Sequence, residues 1–143
     1  MGCVDFFHGF CMQGLILFAH GARDARWAQP FERAAARLRT LAADTHAPAP
    51  RVALAYLEFL APDLAGCAAE LIAQGCTRIE VLPVFLGAGG HVRKDLPAQL
   101  EALRAAHPHV GFTLHRAAGE SPWLEDAIAR WALEAVNFEG PAA

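Results

Sequence analysis

Four short apolar runs, Leu15–Ala19, Arg51–Leu57, Arg78–Leu82 and Val110–His115, alternate with four stretches of helical period. The first run is apolar at consecutive positions, as a strand covered on both faces must be. The helical stretches each put one apolar stripe on one face. The stripes are Trp27, Phe31, Ala34, Leu38 and Leu41; Leu64, Ala68, Leu71 and Ile72; Leu96, Leu100 and Leu103; and Leu124, Ile128, Trp131 and Ala135. A βα unit repeated four times predicts an α/β fold: a single doubly wound domain, its four-stranded parallel sheet flanked by helices and joined by right-handed crossovers.

Local signals mark the element ends. Asp24 and Asp95 can accept hydrogen bonds from free amides at helix starts, and Ser121-Pro122 fits a cap followed by a first helical residue. Gly75 is a C-terminal stop, Pro48 and Pro50 break the chain after the first helix, and Pro83 belongs at the exit of the third strand. The domain is expected over residues 14–138, with a tail at 139–143. Residues 1–13, MGCVDFFHGFCMQ, fit neither period and lack the basic start of a signal peptide. They are expected to be a disordered or non-native extension, with Met12 as an alternative start. Cys3, His8 and Cys11 offer metal donors there, but a frayed tail is the preferred reading.

With 143 residues and 55% hydrophobic content the chain can bury one proper core. A net charge of -3 gives no reason to expect nucleic acid, and no run reaches the roughly 18 apolar residues of a membrane span. The four cysteines form no C-x-x-C or zinc pattern, so Cys67 and Cys76 read as small core residues in a reducing, cytoplasmic compartment.

Ligands of open parallel sheets bind beyond the carboxyl ends of the strands. His20 follows the first strand directly, Glu58 the second, and His91 ends the glycine-rich loop after the third; His115 and Arg116 follow the fourth. Taken singly, each has an ordinary structural explanation: a histidine satisfying a backbone group, a solvated glutamate, a flexible turn. Together, His20, Glu58 and His91 bring three metal ligands or proton carriers to one edge from three loops. Other motifs fail. GAGGHV has Val92 where G-x-G-x-x-G needs glycine, and it lacks the Lys-Ser/Thr of a Walker loop. There is no G-x-S-x-G elbow. A hydrolase using His20 as nucleophile, in the manner of histidine phosphatases, is disfavoured because Ala19 stands where their arginine would be.

The segments FAHGARD, AYLEFLAPDL and VLPVFLGAGGHVRKDLP, in this order and spacing, resemble the small CbiX/SirB group of sirohydrochlorin chelatases. The resemblance covers roughly residues 14–136 and is loosest over HRAAGESPWLEDAI. It implies a chelatase-like domain, a flavodoxin-like half of the longer two-domain chelatases, working as a homodimer. It further implies a lyase that inserts a divalent metal into a tetrapyrrole with release of two protons, in cobalamin or sirohaem biosynthesis. Co2+ leads, with Fe2+ or Ni2+ as alternatives, and no organic cofactor is implied. By matching motifs His20 and His91 would hold the metal across a cleft, assisted by Glu58.

The residue types suit that chemistry. Neutral imidazole binds such metals and exchanges protons near neutrality. A carboxylate adds charge and a second proton acceptor. Two histidines and one glutamate leave coordination positions open, so the ion can be given up. Gly87, Gly89 and Gly90 are expected to let backbone lie close beneath a flat macrocycle and to accept positive φ. Arg23, Arg26, Arg93 and Lys94 flank the histidines and can pair with substrate carboxylates. The alternative use of the same histidines is a non-catalytic metal-binding or delivery protein.

Overall fold

The computed structural model describes residues 11–87, 89–137 and 140, with His91 described by its backbone alone. Strands β1 (Met12–Ala19), β2 (Arg51–Tyr56), β3 (Cys76–Pro83) and β4 (Gly111–Leu114) form one parallel sheet in the order β2-β1-β3-β4. The consecutive apolar run of β1 is explained by its central place: Ile16, Phe18 and Ala19 are completely buried, and side chains on both faces meet core. Pairing of Ala19 with Tyr56, Phe18 with Pro83 and Val81 with Leu114 brings the carboxyl ends to one edge. Pro83 is the last residue of β3, and the next amide, Val84 N–H, donates to the Phe18 carbonyl at 2.8 Å. Met12 and Gln13 belong to β1, where they pair with Cys76 and Arg78, so the strand starts inside the stretch read as an extension. Residues 1–10, which include Cys3 and His8, lie outside the described residues; Cys11 Sγ lies 3.0 Å from Thr77 Oγ1.

Helices α2 (Leu64–Ala73) and α3 (Gly90–Ala106) cover one face of the sheet, closing a core of Ile16, Phe18, Ile79, Val81, Leu71 and Leu100. The 3-10 turn Ala25–Ala28 and α1 (Gln29–Thr45) cover the other face over β1 and β2, with Ala19, Ala28 and Tyr56 at the centre. The doubly wound arrangement is therefore present. The α2 and α3 stripes sit as their periods require. The α1 stripe is rotated: Ala35 and Ala42 are buried while Ala34 and Leu41 are exposed. Small alanines let the helix approach the sheet, and the larger side chains are pushed to its flanks. Cys67 and Cys76 are core residues, and burial, reinforced by Glu70 and Asp63, pushes the Cys67 thiol up to about 12.

Helix starts depart from two expectations. Asp24 accepts from Arg26 N–H at 2.9 Å and so caps the 3-10 turn rather than α1 itself. Asp95 lies inside α3, whose N-cap is Gly89. Asp63, which carried no expectation, caps α2 by accepting from Gly66 N–H at 2.8 Å. Gly75 ends α2 with φ of 95°, its amide bonded to the Ile72 carbonyl at 2.9 Å. The last two elements in chain order are a 3-10 turn, Ala118–Glu120, and α4 (Pro122–Asn137), which buries none of its residues. No helix among the described residues is long and apolar enough to cross a membrane.

Candidate functional site

The carboxyl edge is built from the strand ends outward. His20 follows the last residue of β1, and Gly21 then turns with φ of 88°. A Cβ at Gly21 would stand 1.8 Å from the Glu58 carbonyl oxygen, so the loop admits glycine alone. Leu57 N–H donates to the Ala19 carbonyl at 2.9 Å and Glu58 N–H to the His20 carbonyl at 3.0 Å. The pairing of β1 with β2 thus runs past the strand ends and ties the backbones of His20 and Glu58 together.

Beyond Glu58 the chain doubles back. Leu60 N–H bonds to the Glu58 carbonyl at 2.8 Å, which leaves Phe59 between them at φ of 64°. A non-glycine residue in that region is strained, and such strain concentrates at functional loops. Phe59 is exposed, and the Arg23 guanidinium lies over its ring, 5.3 Å from the centroid. His20, Arg23 and Glu58 therefore share one wall of the edge. Arg26 is engaged elsewhere, in an exposed ion pair with Asp24 at 2.8 Å.

Phe85 organises the other wall. It is 2% exposed, and the His20 imidazole lies against its ring with centroids 4.2 Å apart and planes inclined by 32°. Phe85 also helps line a cavity of about 320 Å³ in which Gly87, Val92 and Arg93 face Leu114, His115 and Arg116. The cavity joins two of the expected substrate-binding residues, Gly87 and Arg93, to the end of β4. Lys94 is exposed on α3 and does not line it.

His115 is held by Glu80, its Nε2 lying 2.7 Å from Glu80 Oε2. Burial raises the Glu80 carboxyl, but hydrogen bonds from His115, Thr113 and Gln13 outweigh that effect and hold it below the usual carboxylate range. Phe85 and the Glu80–His115 pair were not foreseen from the sequence. The first looks like a continuation of an apolar strand, and the second joins residues 35 positions apart.

The glycine loop differs from expectation in one respect. Among the described glycines positive φ occurs at Gly21 and Gly75, not at Gly87, Gly89 or Gly90. A Cβ at any of these three would meet nothing within 4 Å. Their surroundings are open rather than crowded, and backbone exposed to open space is available to a flat ligand. Gly89 serves as the N-cap of α3, and His91 is that helix's second residue. Among the described residues no three His, Cys, Asp or Glu side chains form a group able to hold a metal.

An open parallel sheet with a stacked histidine, a glutamate tied through its backbone and a glycine-rich helix start at one loop edge defines an α/β domain with a candidate site at that edge. The chain belongs to the CbiX family, whose model matches residues 14–135. The fold superimposes on a CbiX protein from Marinobacter aquaeolei VT8 with a TM-score of 0.71 and 37% identity, over 87% of this chain and 98% of that one. A sirohydrochlorin cobaltochelatase from Priestia megaterium is 27% identical over 135 residues, 94% of this chain but 42% of its own length. The chain thus spans less than half of that relative. The same fold recurs in the sirohydrochlorin chelatase SirB from Bacillus subtilis subspecies spizizenii in complex with cobalt, at 24% identity and TM-score 0.67, over 86% of this chain and 50% of that one.

Proposed function

We propose that the chain is a sirohydrochlorin chelatase, a lyase that inserts a divalent metal, Co2+ first and Fe2+ second, into the tetrapyrrole with release of two protons. One observation carries this reading: the CbiX match runs through residues 14–135, and within it His20, Glu58 and His91 follow successive strands at one sheet edge. The Priestia megaterium relative is named for cobalt insertion, and the SirB structure holds cobalt, which favours that ion.

In this mechanism His20 and His91 hold a partly dehydrated ion, leaving positions open for the pyrrole nitrogens. The Glu58 carboxylate, and an imidazole that has given up the ion, receive the two protons that leave the macrocycle. Phe85 fixes the plane of the His20 ring, so the donor nitrogen is presented without a rotamer search. The macrocycle lies over Gly87, Gly89 and Gly90, and Arg23, Arg93 and Lys94 meet its carboxylates. The chain works as a homodimer in the cytoplasm, within cobalamin or sirohaem biosynthesis. Its match to half of SirB and to nearly all of the Marinobacter protein supports pairing of two such units.

The test is a time course of sirohydrochlorin absorbance with Co2+, Fe2+ or Ni2+, with and without protein. Insertion faster than the protein-free rate is expected. Metal binding with no acceleration for any ion would make the chain a delivery protein instead.

A further inference from the structure

Outside α4, three large apolar side chains are exposed among the described residues: Leu41, Phe59 and Leu86. Leu41 lies along α1, but the other two stand at the carboxyl edge of the sheet. Phe59 follows β2 and is 58% exposed; Leu86 follows β3 and is 72% exposed. The strand order β2-β1-β3 puts the end of β1, and with it His20, between their two loops. A single apolar side chain on a surface is ordinary, but a pair astride a candidate ligand residue marks a contact.

Slack in the backbone does not explain the exposure. The Phe59 loop is closed at its base by Tyr56 N–H, which donates to the Pro62 carbonyl at 2.9 Å, and at its tip by the Leu60 N–H bond to the Glu58 carbonyl at 2.8 Å. Phe59 holds φ of 64° in that turn, so the chain accepts backbone strain and still keeps the ring outside. The loop of Leu86 is pinned on both sides: Val84 N–H donates to the Phe18 carbonyl at 2.8 Å, and Gly119 N–H to the Phe85 carbonyl at 2.8 Å. A Cβ at Gly119 would stand 1.8 Å from the Leu86 carbonyl oxygen, so the turn Ala118–Glu120 presses directly on the Leu86 backbone. Both residues are held at fixed places in water. A contact surface prepared in advance loses little freedom when its ligand arrives.

We propose that Phe59 and Leu86 are specificity-determining residues that grip the flat conjugated ring of the tetrapyrrole at two points astride His20, Phe59 by stacking and Leu86 by apolar contact. This rests on the chelatase reading above and deepens it. Each apolar contact has a cation beside it. The Arg23 guanidinium lies 5.3 Å from the Phe59 ring centroid, and Arg93 shares with Leu86 the cavity of about 320 Å³. The ligand that suits this pattern is apolar across its plate and acidic around its rim, which is the chemistry of a tetrapyrrole bearing carboxylate side chains. A hydrated metal ion gains nothing from either side chain, so the pair selects the tetrapyrrole and not the metal.

The experiment is titration of metal-free sirohydrochlorin, followed by its absorbance, into the full chain and into Phe59→Gly, Phe59→Trp and Leu86→Ser. Urea denaturation and Co2+ binding without tetrapyrrole are measured beside it. Glycine accepts positive φ, so Phe59→Gly should leave the protein folded. It should bind sirohydrochlorin about tenfold more weakly or worse, as loss of an aromatic stacking face does. Leu86→Ser should weaken binding severalfold, and Phe59→Trp, which keeps a stacking face, should retain it. Co2+ affinity should not change in Leu86→Ser. Unchanged sirohydrochlorin affinity in either Phe59→Gly or Leu86→Ser would overturn the proposal, whether the two side chains are then bare or covered by another protein. Losses of Co2+ affinity matching those of sirohydrochlorin would overturn it as well, by showing that the substitutions act through distortion of the site. An unaltered chain that binds no sirohydrochlorin would overturn the chelatase reading together with this proposal, so the two failures are told apart.

Discussion

The His20 imidazole rests on the ring of Phe85, centroids 4.2 Å apart, and Phe85 in turn meets Phe18 of the core edge-on at 5.8 Å. A side chain at the ligand edge is thereby braced directly against the centre of the fold. Phe85→Leu keeps most of the apolar volume and removes the flat support. We expect a folded protein with metal insertion slowed about tenfold or more. Insertion kinetics together with the ring resonances of His20 check this; an unchanged rate would release Phe85 from its positioning role.

Gly21 is the hinge between the two loops of the other wall. Alanine there must suffer both the φ of 88° and a methyl group 1.8 Å from the Glu58 carbonyl oxygen. Gly21→Ala should cost about 2 kcal/mol or more, since positive φ and a backbone clash act together. Urea denaturation measures it, and a loss within the scatter of surface substitutions would contradict the tight approach.

Asp63 caps α2 on the side of the sheet away from α1, and nothing ties it to the reaction. Asp63→Ala should lower stability by about 1 kcal/mol while leaving the insertion rate unaltered. Equal losses in both quantities would show that α2 reaches the site.

The Glu80–His115 pair gives a pH dependence with a definite sign. Because the folded state holds the Glu80 carboxyl below its ordinary value, the unfolded chain binds its proton first as pH falls. The stabilisation is therefore complete above the ordinary carboxylate range and is lost as pH drops through the lowered folded value. Stability measured from pH 7 downward should fall less steeply in Glu80→Gln than in the unaltered protein. Identical acid limbs would remove the pair from the stability of the β3–β4 flank.

Much of this fold could be read from residue order because its signals are local. The run Leu15–Ala19 announces a doubly covered strand, Leu64, Ala68 and Leu71 announce α2, and each is found where its period puts it. The start of α3 was misplaced at Asp95 because its actual cap, Gly89, has no side chain to signal a cap. The α1 stripe was rotated because alanine counts for little in a hydrophobic pattern yet allows the closest approach. In α4 the period correctly marks an apolar face, but periodicity cannot say what covers it. At the site, His20 and Glu58 were legible from their places after strands, whereas their coupling depends on Gly21 meeting a carbonyl 37 positions away. Phe85 carried no signal, because its function comes from the ring stacked upon it.

The central claim is that one metal ion is shared by His20 and His91, and anomalous diffraction at the cobalt edge from crystals grown with Co2+ tests it most directly. The expected result is a single strong peak bonded at about 2.0–2.2 Å to an imidazole nitrogen of each histidine. Cobalt bound to only one of them, or at a place that includes neither, would contradict the claim.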